Sequence, residues 1–138
     1  DRGIVPGNII LFGRSLGASI AAELATRQGA AGVILESAMT SVPDVAARFY
    51  PWLPVRWLSR YQYDTREKLA NIHGPVLIVH SRDDEIIDYA NGERLFEAAN
   101  EPKQFLELRG GHNDGFLVSG KDYIQGLDSF LGNVLDEK

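Results

Sequence analysis

The sequence predicts an α/β domain in which helices flank a mostly parallel sheet. Three observations predict it: short apolar runs rich in Ile, Val and Leu, amphipathic stretches between them, and the regular alternation of the two. The 138 residues carry 14 Lys+Arg against 19 Asp+Glu, a net charge of −5, and 44% are hydrophobic. That length suits one domain with a real core, so residues 1–138 read as a single domain. The composition excludes a disordered, collagen-like or low-complexity chain. With no cysteine there is no disulfide, no thiolate metal site and no cysteine nucleophile. The acidic balance argues against nucleic acid as a partner. No apolar stretch reaches the ~18 residues that a membrane span needs.

Each element has its own signal. Residues 8–12, 32–36 and 75–80 are nearly continuous in Ile, Val and Leu, the pattern of strands covered on both faces. Residues 104–108 alternate Phe105 and Glu107 with Leu106 and Leu108, as a strand with one wetter face near a sheet edge does. Between the first two strands, residues 15–28 predict a helix on which Leu16, Ile20 and Leu24 repeat at i, i+4 and i+8. On the same helix Gly17, Ala18, Ala21, Ala22 and Ala25 make a small-sided face that can press close to a sheet. Ala90, Leu95, Phe96 and Ala99 form an apolar stripe over residues 89–99. Tyr123, Ile124, Leu127, Phe130, Leu131 and Val134 form the clearest stripe, over residues 119–135. Residues 43–64 break this rhythm, with Phe49, Tyr50, Trp52, Trp57, Tyr61 and Tyr63 set among Pro43, Pro51 and Pro54. This aromatic segment reads as a helix and loop packed on the sheet, or as a lid over a site.

The sharpest local signal is Gly13-Arg14-Ser15-Leu16-Gly17, a G-x-S-x-G pentad between a predicted strand and a predicted helix. A nucleophile elbow needs that context, because its serine sits on a strained turn that lifts the hydroxyl above the sheet. A Cβ at Gly13 or at Gly17 is expected to collide with so tight a turn. The helix N-terminus adds positive potential, and the Leu16 N–H is placed to donate to an oxyanion. A serine hydroxyl also needs a base. His73 lies in a loop before Gly74-Pro75 and His80 ends an apolar strand. His112 follows Gly110-Gly111 just after the last strand, at the end where open α/β sheets bind ligands, and is the best base. An orienting acid is expected between Ser and His in the chain. Asp84 is preferred, because Ile86-Ile87 would then anchor its loop. Asp83 and Glu36, the latter at the end of the second strand, remain alternatives, and Asp88 reads as a helix cap. No ligand cluster suggests a metal, and the chemistry needs no cofactor.

These pieces together resemble the C-terminal half of an α/β-hydrolase, closest to the serine-aminopeptidase-like and acyl-protein-thioesterase-like domain proteins. The resemblance rests on the pentad, on Leu35-Glu36-Ser37-Ala38, on the run from Pro75 to Ile87, and on Gly110-Gly111-His112-Asn113-Asp114. The family's His-Gly-x-x-Asp pattern, laid on His80-Ser81-Arg82-Asp83-Asp84, puts the acid on Asp84. Ser81 departs from the usual Gly, and Asp88 from a frequent Pro. The resemblance also implies earlier strands before the elbow, and with them a loop carrying a second oxyanion donor. The chain opens at Asp1-Arg2-Gly3 rather than Met, and a piece of a longer protein is therefore expected, with a companion segment or a second copy completing the sheet beside residues 8–12.

The function this implies is hydrolysis of an ester, thioester or amide in a small-molecule or acylated substrate, through Ser15, Asp84, His112 and an acyl-enzyme. No acidic pair suited to a substrate amine stands out, so an esterase or thioesterase leads over a peptidase of the same fold. The alternative from another class is a non-catalytic hydrolase-like module that binds through the aromatic segment. The sequence assigns no compartment.

Overall fold

A computed structural model of the chain describes residues 3–41 and 64–136. The aromatic segment expected over residues 43–64 therefore lies outside the described residues, except for Asp64. After a single 3-10 turn at Pro6–Asn8 come strand β1 (Ile10–Arg14), helix α1 (Leu16–Gln28) and strand β2 (Gly32–Glu36). Helix α2 (Thr65–Leu69), strand β3 (Val76–Ser81), helix α3 (Tyr89–Ala98), strand β4 (Lys103–Leu108) and helix α4 (Gly115–Asp136) follow. The strands lie in the order β1-β2-β3-β4, and every pair is parallel. This is the predicted α/β class.

Burial explains the order. All residues of β2 and β3 are buried, as central strands covered on both faces must be, while β1 and β4 are only partly buried. One face of the sheet packs Val33, Leu35, Val76 and Ile78 against α1, α2 and α3, which supply Ala18, Ala22, Leu69 and Leu95. The other face packs Ile34, Leu77 and Val79 under Phe130 and Val134 of α4. Three layers result, with helices on both sides of the sheet. Among the described residues no helix is long and apolar enough to cross a membrane.

Three details differ from the sequence expectation. First, β1 starts two residues later than residue 8, because Pro6 opens a 3-10 turn that consumes Asn8. Second, α4 begins at Gly115, earlier than residue 119, and is broken at Gly120, whose φ of 41° and ψ of −102° interrupt the helix ahead of Tyr123, the first apolar residue of the predicted stripe. Third, α1 turns its alanine face to the sheet: Ala18 and Ala22 are fully buried, whereas Leu16, Ile20 and Leu24 are 50%, 54% and 43% exposed. Close approach selects the small face, since β1 and α1 are joined by a turn with no room for larger side chains between them. Phe12 of β1, an outer strand of the described sheet, is also half exposed.

Candidate active site

Because all four strands are parallel, the segments that leave β1, β3 and β4 emerge at one end of the sheet. The elbow, the acid loop and the histidine loop are those three segments. Ser15 sits between β1 and α1 with φ 51° and ψ −120°. Such a backbone costs a non-glycine residue about 1–3 kcal/mol and persists only where its surroundings impose it. Here the Ser15 N–H donates to the Glu36 carbonyl at 2.9 Å, tying the turn to the end of β2. Gly13 lets the helix close over the strand. A Cβ there would lie 2.4 Å from the Gly17 carbonyl oxygen and 2.7 Å from both Ala18 Cα and Ala21 Cβ. Gly17 corrects the expectation of a clash at both glycines: a Cβ there meets nothing within 4 Å, because it is already a helical residue of α1 facing open space. Leu16 is the first residue of α1, so its N–H has no acceptor within the helix.

The other two loops meet each other. Asp84, in the loop leaving β3, accepts a hydrogen bond from His112 Nδ1–H at 2.8 Å, and both residues are buried. A carboxylate can only accept, so this bond leaves Nε2 of the neutral ring as its lone-pair nitrogen. The second oxygen of Asp84 accepts from the backbone N–H groups of Ile86 and Ile87 at 2.9 and 2.7 Å, which fixes the carboxylate in its loop. Asp83 is turned elsewhere: it is exposed and accepts from the Gly110 N–H at 3.2 Å. Asp88 takes the N-cap position of α3 as expected, but its side chain makes no capping hydrogen bond there.

The two remaining histidines separate clearly. His73 is exposed in the loop entering β3, at the opposite end of the sheet. His80 is fully buried, and its Nε2–H donates to the Ile87 carbonyl at 2.8 Å while standing 3.6 Å from Asp84 Oδ2. Burial, which disfavours the charged ring, lowers its pKa below the ordinary histidine value.

Glu36 is buried at the end of β2, but its carboxylate engages other groups. Arg14 Nε lies 3.2 Å from one oxygen, and the Tyr123 hydroxyl donates to the other at 2.7 Å. The Arg14 guanidinium also donates to the backbone carbonyl of His112 and lies 5.5 Å over the Phe116 ring. The His112 N–H donates to Glu85 at 2.9 Å. Sequence reasoning singled out none of Arg14, Glu85 and Tyr123. Arg14 was visible as a variable position of the pentad. Nothing along the chain links Tyr123 to a carboxylate 87 positions away.

No protein-family profile matches the chain. An uncharacterized protein of Mycobacterium tuberculosis is 40% identical over 127 residues, covering 91% of this chain and 45% of that protein. The human alpha/beta hydrolase domain-containing protein 17B is 36% identical over 137 residues, covering 96% of this chain and 44% of its own length. The chain thus spans less than half the length of these relatives. Among solved structures, an esterase of Pyrococcus furiosus superposes with a TM-score of 0.73 at 16% identity, over 92% of this chain and 54% of that one. That likeness is one of fold. A sheet and helices arranged as in that esterase, together with a match to a human α/β-hydrolase domain protein along 96% of this chain, give the chain the fold of part of an α/β-hydrolase.

Proposed function

We propose that the protein is a serine hydrolase that cleaves an ester or thioester through an acyl-enzyme. Ser15 is the nucleophile, His112 the general base and then acid, and Asp84 the residue that orients and stabilises the imidazole. The observation that carries this reading is the buried Asp84–His112 hydrogen bond, at the same strand ends where Ser15 is held at positive φ. His112 Nε2 accepts the Ser15 hydroxyl proton as Oγ bonds to the carbonyl carbon. The Leu16 N–H, at the positive end of α1, donates to the oxyanion. Collapse of the tetrahedral intermediate expels an alcohol or thiol, which takes the proton from His112 and leaves the acyl group on Oγ. Water then attacks the acyl carbon, giving its proton to His112, and the carboxylic acid departs as Ser15 is reprotonated.

In this reading a further strand pairs along β1, supplied by a companion segment or by a second copy of the chain. The half-exposed apolar side chain of Phe12, on the outer strand itself, supports it. The test is turnover of a p-nitrophenyl ester and labelling by a fluorophosphonate probe, both in the complete protein. Both are expected to vanish in Ser15→Ala. Labelling or turnover undiminished in that variant removes Ser15 as nucleophile and with it the proposed function.

A further inference from the structure

We propose that Arg14, anchored by Glu36 and Tyr123, is the positioning residue that sets where the His112 imidazole stands relative to Ser15; this rests on the reading of those two residues as base and nucleophile. Asp84 and Glu85 both hold His112, one by the ring and one by the backbone N–H, and both belong to the loop leaving β3. They fix the histidine to its acid. Arg14 adds a grip from the elbow's own strand, donating to the His112 carbonyl from the position immediately before Ser15.

Glu36 ties that grip to the elbow by charge. Its backbone carbonyl accepts the Ser15 N–H at 2.9 Å, and its carboxylate pairs with Arg14 Nε at 3.2 Å. One residue therefore holds the nucleophile's backbone and the arm that reaches the base. The Tyr123 hydroxyl, donating at 2.7 Å, leaves the Glu36 carboxylate little freedom to swing. Burial and the adjacent carboxylate push the Tyr123 pKa upward, so the hydroxyl stays protonated and remains a donor. A guanidinium suits the task better than an ammonium, because it can donate to a carbonyl while keeping its charge beside a carboxylate and its carbon over the Phe116 ring.

A purely structural role, in which Arg14 only neutralises a buried carboxylate, predicts a different outcome. The experiment is steady-state turnover of p-nitrophenyl acetate and thermal melting of the complete protein, for Arg14→Met, Arg14→Lys, Glu36→Gln and the Arg14→Met/Glu36→Gln pair. Loss of the grip is expected to lower kcat about 10- to 100-fold in Arg14→Met with KM within about twofold, since small misplacements of a catalytic group are costly. Arg14→Lys restores part of kcat, and the double variant is no slower than the slower single variant. The proposal is overturned if Arg14→Met keeps its kcat, if the loss falls on KM, or if the loss disappears once turnover is scaled to the folded fraction. Glu36→Gln keeps the shape and one accepting oxygen but removes the charge that faces Arg14, so its kcat reports on the anchor even if Arg14→Met folds poorly; an unchanged kcat there removes Glu36 from the device. Ser15→Ala run alongside separates the two readings. An active Ser15→Ala refutes nucleophile and positioning together, whereas a dead Ser15→Ala beside a fully active Arg14→Met refutes the positioning alone.

Discussion

Gly92 presents its α-carbon directly to the imidazole of His80. A Cβ at Gly92 would stand 2.8 Å from His80 Cβ and 2.9 Å from its Cγ and Nδ1. Helix α3 therefore rests on β3 at a distance that only glycine permits, and the His80 ring beneath it is clamped. That ring in turn holds the Ile87 carbonyl at the far end of the Asp84 loop, and the Tyr89 ring meets it edge-on at 6.0 Å. Gly92→Ala is expected to destabilise the fold by about 1–3 kcal/mol, the usual cost of overpacking a tight interior. Chemical denaturation measures it, and an unchanged midpoint would show that α3 moves away freely.

The buried His80 also makes stability depend on pH, with a definite sign. Its folded pKa lies below 6.5 because burial disfavours the imidazolium; the neighbouring Ile87 carbonyl, Asp84 and Asp88 only partly offset this, and His112 reinforces it. The unfolded chain thus binds an extra proton as the pH falls through 6.5. Its contribution to stability is full above that pH and is lost below it, down to the folded pKa. Urea unfolding from about pH 7.5 to about pH 5.5 should show stability falling, and His80→Gln should flatten that slope. Equal slopes in parent and variant would remove His80 as the source.

Two adjacent carboxylates at the acid loop should behave very differently. Asp84 accepts from the His112 ring, whereas Asp83 accepts only a backbone N–H on that side, from Gly110 at 3.2 Å. Asp84→Asn is expected to slow turnover by about 10⁴-fold, the loss seen when the acid of a serine protease triad becomes an amide. Asp83→Asn keeps an oxygen able to accept and should cost less than about tenfold. Steady-state kcat/KM decides, and equal losses would reassign the acid.

The two glycines of the pentad offer the sharpest contrast in stability. Gly13→Ala puts a methyl 2.4 Å from the Gly17 carbonyl oxygen, so it should cost about 3 kcal/mol or more. Gly17→Ala meets open space within a helix and should stabilise by about 0.5–1 kcal/mol. Thermal melting of both variants tests the pair. Equal shifts would mean that the elbow does not bring strand and helix as close as described.

Much of this was legible in the chain. Continuous Ile, Val and Leu runs marked residues 8–12, 32–36 and 75–80 as strands covered on both faces; β2 and β3 are fully buried, whereas β1 is only partly so because it is an outer strand of the described sheet. The pentad between a strand and a helix announced the elbow, because a turn that tight leaves its mark in neighbouring residues. Gly110-Gly111 and the end of β4 singled out His112 among three histidines. The preference for Asp84 over Asp83 drew on Ile86 and Ile87, whose N–H groups the Asp84 carboxylate accepts.

Periodicity and turn chemistry are local, so the sequence by itself determined the elements, their mostly parallel arrangement and the ends at which the site's loops emerge, while the order of the strands came from the structure. It could not say which face of α1 would be buried, because Leu16, Ile20 and Leu24 and the alanines beside them are both coherent stripes. The sheet's proximity made that choice. Nor could it pair Glu36 with Arg14 and Tyr123, or set His112 between Asp84, Glu85 and Arg14. Those partners lie far apart along the chain and meet only where the ends of β1, β2, β3 and β4 are brought side by side. Which charge meets which donor there is a property of the packed sheet, and tertiary structure alone decided it.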